Sequence, residues 1–329
     1  MKKYRLHEIE ALLELFSTEP FIFRPAELYK IDGDLKEKLS KYNIYLVARR
    51  PRISIQPDSL RLNFNEQTVE GVFSINLGLE IREQAFIYQN MFDAPITALG
   101  ELDYPYDHLR MILGDSFPVQ IRVHDVIRGT GSEIRPYSDL YIEYIGQSFG
   151  DDGNSNALNR LIGKTGKQGH GSLQKVLSDI NAENPESEVH ILLYSFEFYK
   201  KVTFGGAGPE PLIPFEDAPE RFYQFFDAEV ARKNRIDLVE AVLIRYFQPK
   251  YNDIYKKTFP KATHEILNTL FELDITGLST SISTEEHYSR IYSEKVGPSC
   301  QHVAMYPILK EMERASFLDL ACPMPEIIA

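Results

Sequence analysis

Tyr141-Ile142-Glu143-Tyr144-Ile145-Gly146-Gln147-Ser148 alternates aromatic and β-branched residues, then breaks at a glycine followed by loop formers from Phe149 to Asn156. That is the signature of a strand running into a loop. Downstream, Asn156 precedes Ala157-Leu158-Asn159-Arg160-Leu161-Ile162, which predicts a short helix with Arg160 in its first or second turn. The glycine-studded Gly163-Lys164-Thr165-Gly166-Lys167-Gln168-Gly169-His170-Gly171 follows. It lacks the strand-to-helix setting of a phosphate-binding P-loop and reads as a flexible basic loop. Ser172 caps a helix through Ile180, Val189 to Phe196 reads as a strand, and 200–220 reads as an exposed loop or insertion. A helix over Ile236 to Phe247 stops at Pro249. It carries Asp237 and Glu240 three apart, with Leu243 and Ile244 on the inward stripe. Upstream, 118–127 alternates as a strand and, through the turn at Arg128-Gly129-Thr130-Gly131, predicts a hairpin with Asp139 to Gln147.

The flanking regions carry less chemistry. Leu6, Ile9, Leu12, Leu13 and Phe16 recur at helical intervals and predict a helix over 5–16. Leu35 to Leu39 predicts a second short one. Ile44 to Ala48, Ile53 to Ile55, Leu60 to Phe64 and Val69 to Leu79 read as short strands, and 80–112 as mixed and partly helical. After Pro260 a helix is expected from Ala262 to Leu273, extended chain from Ile275 to Ser283, and a helical piece from Tyr306 to Phe317. This divides the chain into an N-terminal β-rich or α+β unit (1–117), a central unit (118–258) and a C-terminal extension (259–329).

Hydrophobic content of 43% and charged content of 26% are those of a globular protein. No apolar run reaches the roughly 18 to 20 residues that span a bilayer. The N-terminus leads into an acid-rich segment, unlike a signal peptide. Cys300 and Cys322 make neither a metal spacing nor a disulfide framework, which fits a reducing, cytoplasmic setting. The net charge of −12 argues against a generic nucleic-acid binder. The charge is uneven, however. Residues 232–261 hold eight basic side chains (Arg232, Lys233, Arg235, Arg245, Lys250, Lys256, Lys257, Lys261) against three acidic ones (Asp237, Glu240, Asp253). That local excess suits phosphates, and equally a solvated, salt-laced helix face.

Tyr144-Ile145-Gly146, then Arg160 on the next helix, then Glu240 with Pro249-Lys250-Tyr251-Asn252 together resemble the GIY-YIG nuclease family. The resemblance covers about 118–255. It departs from the family pattern in having no Gly-Ile-Tyr about ten residues before Tyr144, where Glu133 and Ile134 stand. The resemblance implies an α+β fold, a small antiparallel sheet flanked by helices. It implies a DNA endonuclease that uses one Mg²⁺ (or Mn²⁺) held by Glu240, with Arg160 clamping phosphate oxygens and Tyr144 positioning or activating water. His170 falls near a histidine that some members carry. His124, on the expected strand, is a candidate to face the place of the missing tyrosine. Lys164, Lys167, Lys250, Asn252, Lys256 and Lys257 are candidates to contact DNA. The alternatives are a binding module that keeps the fold without cleavage and a protein-interaction factor, with a homodimer or protein partner engaged through the flanking regions.

Overall fold

The computed structural model describes residues 3–130, 134–149, 155–163, 171–205 and 209–321. In chain order its elements begin β1 (Arg5–His7), β2 (Ile9–Ser17), β3 (Phe21–Phe23), α1 (Gly33–Lys38), β4 (Ile44–Ile55), β5 (Arg61–Asn63), β6 (Thr68–Asn76), β7 (Ile81–Gln89), β8 (Ile96–Leu99), β9 (His108–Leu113) and β10 (Phe117–Arg122). They continue with α2 (Val123–Arg128), α3 (Arg135–Ser138), β11 (Leu140–Gln147), α4 (Ala157–Ile162), α5 (Gly171–Glu183), β12 (Ser187–Tyr194), β13 (Phe196–Phe204), β14 (Pro211–Ile213), α6 (Pro219–Asp227) and α7 (Arg232–Phe247). The chain closes with α8 (Asn268–Glu272), β15 (Ile275–Ser283), β16 (Ile291–Tyr292), β17 (Gln301–Pro307) and α9 (Phe317–Ala321).

The fold is mixed α and β, organised around β4. The first half of β4 pairs antiparallel with β11 on one side and β12 on the other, in the order β16-β11-β4-β12-β3. Its second half, Arg52 to Ile55, pairs with β6, which carries β5 and β7. Pro51 falls where the partner changes, a position at which its missing N–H costs no central ladder bond. What reads as two strands in the sequence is therefore one. A second sheet runs β13-β2-β15-β17 and a third β10-β9-β8.

α7 lies between the two larger sheets. Ile236, Leu238, Val239, Ala241, Val242, Leu243, Ile244 and Phe247 are all buried, so the helix is apolar almost all round, as a sandwiched helix must be. It shares one core with Ala11, Leu13 and Leu15 of β2, with Ile44, Leu46 and Ala48 of β4, and with Leu278 of β15. The opposite face of β4 presents Tyr45 and Val47 to Leu158 and Leu161 of α4 and Val176 of α5. A separate core fills the β5–β10 region together with α2 and α3.

Several expectations are corrected. Residues 5–16 are not helical: they form β1 and β2. β2 is the inner strand between β13 and β15, covered on both faces, with Leu12 and Phe16 alternating with Glu10 and Glu14 on one of them, so its hydrophobic spacing imitates a helix. The predicted hairpin of 118–127 with 139–147 is absent. β10 pairs with β9, α2 replaces the end of the expected strand, and β11 pairs with β4 instead. Residues 80–112 contain β7, β8 and β9, and Tyr306 to Pro307 ends a strand, β17, rather than starting a helix. The sheet holding β11 is not purely antiparallel, because β16 joins it in parallel. Its strands come from residues 21 to 292, across both sequence boundaries at 117 and 258. No helix among the described residues is long and apolar enough to cross a membrane.

Candidate active site

A carboxylate on a sandwiched helix is an electrostatic problem, and Glu240 is that carboxylate. Burial first, and then its neighbour Asp237, push its pKa from the ordinary 4.5 to about 7. Arg160 and the backbone N–H of Gln147 pull the other way without prevailing. Asp237, one turn earlier, is itself raised by burial, and its Oδ1 accepts a 3.1 Å hydrogen bond from Gln147 Nε2. Two acids that both resist ionisation mark a spot short of positive charge.

Two tyrosines from neighbouring strands complete the cluster. Tyr45 of β4 is fully buried, and its ring centroid lies 6.1 Å from that of Tyr144 on β11. Gly146 is paired directly with Tyr45 in the ladder. A Cβ at Gly146 would stand 2.5 Å from both Cζ and Oη of Tyr45 and 2.8 Å from Cε1 of Tyr144. The glycine of Tyr-Ile-Gly is thus the space the two rings require. A bulge between Ile142 and Tyr144 keeps Ile142 and Ile145 in the α7-side core while Tyr144 packs with Tyr45 on the other face.

Arg160 reaches the same place from α4. Asn156 caps that helix by accepting from Asn159 N at 2.8 Å, and Ala157, Leu158 and Leu161 anchor it in the core. This leaves Arg160 exposed on the outer side. Its guanidinium donates to Tyr45 Oη, and Tyr45 in turn donates to Tyr144. Burial holds Tyr45 well above the usual phenol range, with Tyr144 adding to the effect and Arg160 opposing it. Tyr144 is raised by burial and by Glu240. Both phenols therefore stay protonated near neutrality and serve as hydrogen-bond donors, not as bases. Arg160 opposes the rise of Tyr144 but is outweighed.

Asn252 has a different role from the expected DNA contact. It is buried, its Oδ1 accepts from Ile145 N at 2.9 Å, and its Nδ2 donates to Ile145 O at 2.8 Å. β16 covers only Leu140 and Tyr141 of β11, so beyond them Asn252 supplies the partner that the strand edge lacks. Tyr251 N donates to Glu143 O beside it. The Pro249-Lys250-Tyr251-Asn252 segment, released from α7 by Gln248 in the left-handed conformation, is an edge clamp on the Tyr-Ile-Gly strand.

His124 is also elsewhere. It sits on α2, 6% exposed, with ring centroids of His190 at 6.3 Å and His287 at 6.0 Å. Its surroundings include Arg50, five residues along β4 from Tyr45, or about 17 Å of strand. It does not face Tyr144. Lys250 is ion-paired with Glu183 and lies over the Tyr251 ring. Lys256 is half-buried, its carbonyl accepting from Arg245, and Lys257 is exposed. His170, Lys164 and Lys167 lie outside the described residues. Among the described residues, no three His, Cys, Asp or Glu side chains are grouped to hold a metal ion. Tyr45 is the site residue the sequence reading does not reach, since it seeks a tyrosine about ten residues upstream of Tyr144. Comparison of the chain with family models, with curated proteins and with solved structures finds no match.

Proposed function

We propose that the protein is a divalent-metal-dependent DNA endonuclease that hydrolyses phosphodiester bonds in the manner of GIY-YIG nucleases. The observation that carries the reading is that Tyr45, Tyr144 and Arg160, packed on one face of β4 and β11, and Glu240, on α7 against the other face, are electrostatically linked: Arg160 acts on all three other groups, and Glu240 acts on Tyr144. Asn43-Ile44-Tyr45, on the strand antiparallel to β11, stands in this reading for the absent Gly-Ile-Tyr. The segment from β5 to α3, with its own core, is inserted between the two tyrosine strands and is the candidate for choosing the DNA.

Phosphodiester hydrolysis needs an oriented water, a clamp on the charge building on phosphorus, and neutralisation near the leaving oxygen. Arg160 brings a cation to the cluster, and its planar fork suits two phosphate oxygens. Tyr45 and Tyr144 offer O–H donors of fixed direction, with Tyr45 relaying between Arg160 and Tyr144. Glu240 and Asp237 fit a hard divalent ion, because such ions take one or two carboxylates and complete their shell with water and substrate phosphate. The raised pKa values of both carboxyl groups fit a site that waits for a cation. When bound, Mg²⁺ or Mn²⁺ supplies Lewis-acid neutralisation of the phosphate.

The test is incubation of supercoiled plasmid with Mg²⁺ or Mn²⁺, wild type beside Glu240→Ala and Arg160→Ala. Nicked or linear product from the wild type, reduced by orders of magnitude in both variants, is expected. Equal cleavage by Glu240→Ala rules the reading out.

A further inference from the structure

The cavities of the molecule differ in how their charges are met. The small one lined by Arg24, Arg50 and Arg122 also contains Glu27, Asp107 and Glu188, and its cations are answered by ion pairs such as Arg50 with Glu188 at 2.7 Å. A second cavity, of about 220 Å³ at the start of α7, is not balanced in this way. Lys41, Arg232 and Arg235 line it with a single carboxylate, Glu197. None of the three cations forms an ion pair within 4.0 Å among the described residues. Arg232 donates to Lys41 O at 3.1 Å and to Asn43 Oδ1 at 2.8 Å, neither of them charged. The Arg235 guanidinium lies 4.0 Å from the centre of the Phe198 ring, and its Nε is buried without an acceptor. A concave wall of three cations, one with an unmet donor, is an environment that an oxyanion would satisfy.

We propose that this cavity is a second phosphate subsite, taking a backbone phosphodiester of the bound DNA strand a few nucleotides from the one being cut. The identity of the ligand rests on the nuclease reading, whereas the anion preference rests on the cavity alone. Arg232 and Glu240 are eight residues apart on α7, about 12 Å at 1.5 Å per residue. Asn43 joins the two places: its Oδ1 accepts from Arg232, while its Nδ2 donates to Ser148 O at 2.6 Å and Ser155 O at 3.2 Å. The residue before Ser148, Gln147, gives its backbone N–H to Glu240. A phosphate held by Arg232 thus steadies the turn that lies against the catalytic carboxylate.

The experiment compares wild type, Lys41→Ala/Arg235→Gln and, as a folding control, Lys41→Arg. DNA affinity is read by anisotropy of a labelled 20-base-pair duplex in EDTA across a salt series, and anion binding by ³¹P line broadening of inorganic phosphate. The double variant is expected to bind the duplex about tenfold or more weakly. Its log K against log salt slope should be shallower by about one to two units, and phosphate broadening should be lost. Lys41→Arg should retain all three readouts. Wild-type affinity, slope and broadening in a folded double variant overturn the proposal. Phosphate broadening that depends on Lys41 and Arg235, with no duplex binding by the wild type, overturns the DNA source and counts against the nuclease reading while leaving a free-phosphate site. Plasmid cleavage with unchanged slope and broadening removes the subsite and leaves the nuclease reading standing.

Discussion

Replacing Glu240 by Gln should make the protein more stable and inactive at the same time. The carboxyl titrates at about 7 instead of its ordinary 4.5. At about 1.4 kcal/mol per tenfold change in proton affinity, the ionised form is disfavoured in the native state by roughly 3 kcal/mol. The sign follows from proton counting. Between about pH 4.5 and 7 the native carboxyl keeps a proton that the unfolded chain has released, so stability falls as pH rises through that window and stays lower above it. Glutamine has the same shape and cannot ionise, so it removes the penalty but also forfeits the attraction to Arg160. Because part of the Glu240 side chain is solvent-accessible, a net gain of about 1–3 kcal/mol is expected at pH 8.5, with near equality at pH 4.5. Urea unfolding at the two pH values measures the difference directly. Millimolar Mg²⁺ at pH 8.5 should raise the wild-type midpoint and leave that of the variant where it is, since a cation binding only the native carboxylate stabilises by mass action. A Glu240→Gln protein that is no more stable than wild type at pH 8.5 refutes the claim that this carboxylate is held against its own ionisation.

Four other outcomes follow from the same geometry. Tyr45→Phe removes the hydroxyl linking Arg160 to Tyr144, and should lower plasmid cleavage by about 10²- to 10⁴-fold with duplex affinity nearly unchanged. A Tyr45→Phe enzyme of wild-type rate would return the role to Tyr144 alone. Gly146→Ala drives a methyl into the Tyr45 ring, so thermal unfolding should show a loss of about 1–3 kcal/mol together with loss of cleavage. Asn252→Ala should destabilise by about 1–3 kcal/mol per exposed backbone group and leave duplex affinity intact in the folded fraction; a selective affinity loss would reinstate it as a DNA contact. His124 and His190 are held neutral by burial, with Arg50 reinforcing it, so their folded pKa values lie below the ordinary 6.5. Their contribution is whole above about pH 6.5 and lost as pH falls, and urea midpoints of His124→Leu against wild type should converge or cross between pH 7 and 5.

The parts of this fold that were legible in the sequence are those decided within a few residues. α7 declares itself by its apolar periodicity and its stop at Pro249, α4 by the Asn156 cap, and β11 by its alternation ending in a glycine. Arg160, Glu240 and Tyr144 sit on these three elements, so a motif could reach them. Tyr45 could not be reached the same way. It belongs to a strand read correctly as a strand, but its pairing with β11 is a long-range event across the whole inserted region from β5 to α3. No local signal in Ile44-Tyr45-Leu46 names its partner.

β2 failed for a related reason. Ile9, Leu12, Leu13 and Phe16 repeat at three and four residues because neighbours cover both faces of the strand, with the α7-side core on one and Phe317 and Leu318 on the other. Only the tertiary setting separates such a strand from a helix. The acidic total by itself says little about this site, because charge acts through its neighbours and not through its sum. Glu10, Asp274, Arg221 and Arg314 answer one another in a buried network beside β2, and Glu188 is answered by Arg50. Once such pairs are set aside, what faces the cavity at the start of α7 is Lys41, Arg232 and Arg235 with one glutamate, and what faces the tyrosines is Arg160 and a carboxylate that resists ionisation. A chain of net charge −12 can therefore still hold a phosphate-accepting wall, because only the charges left without partners determine what it attracts.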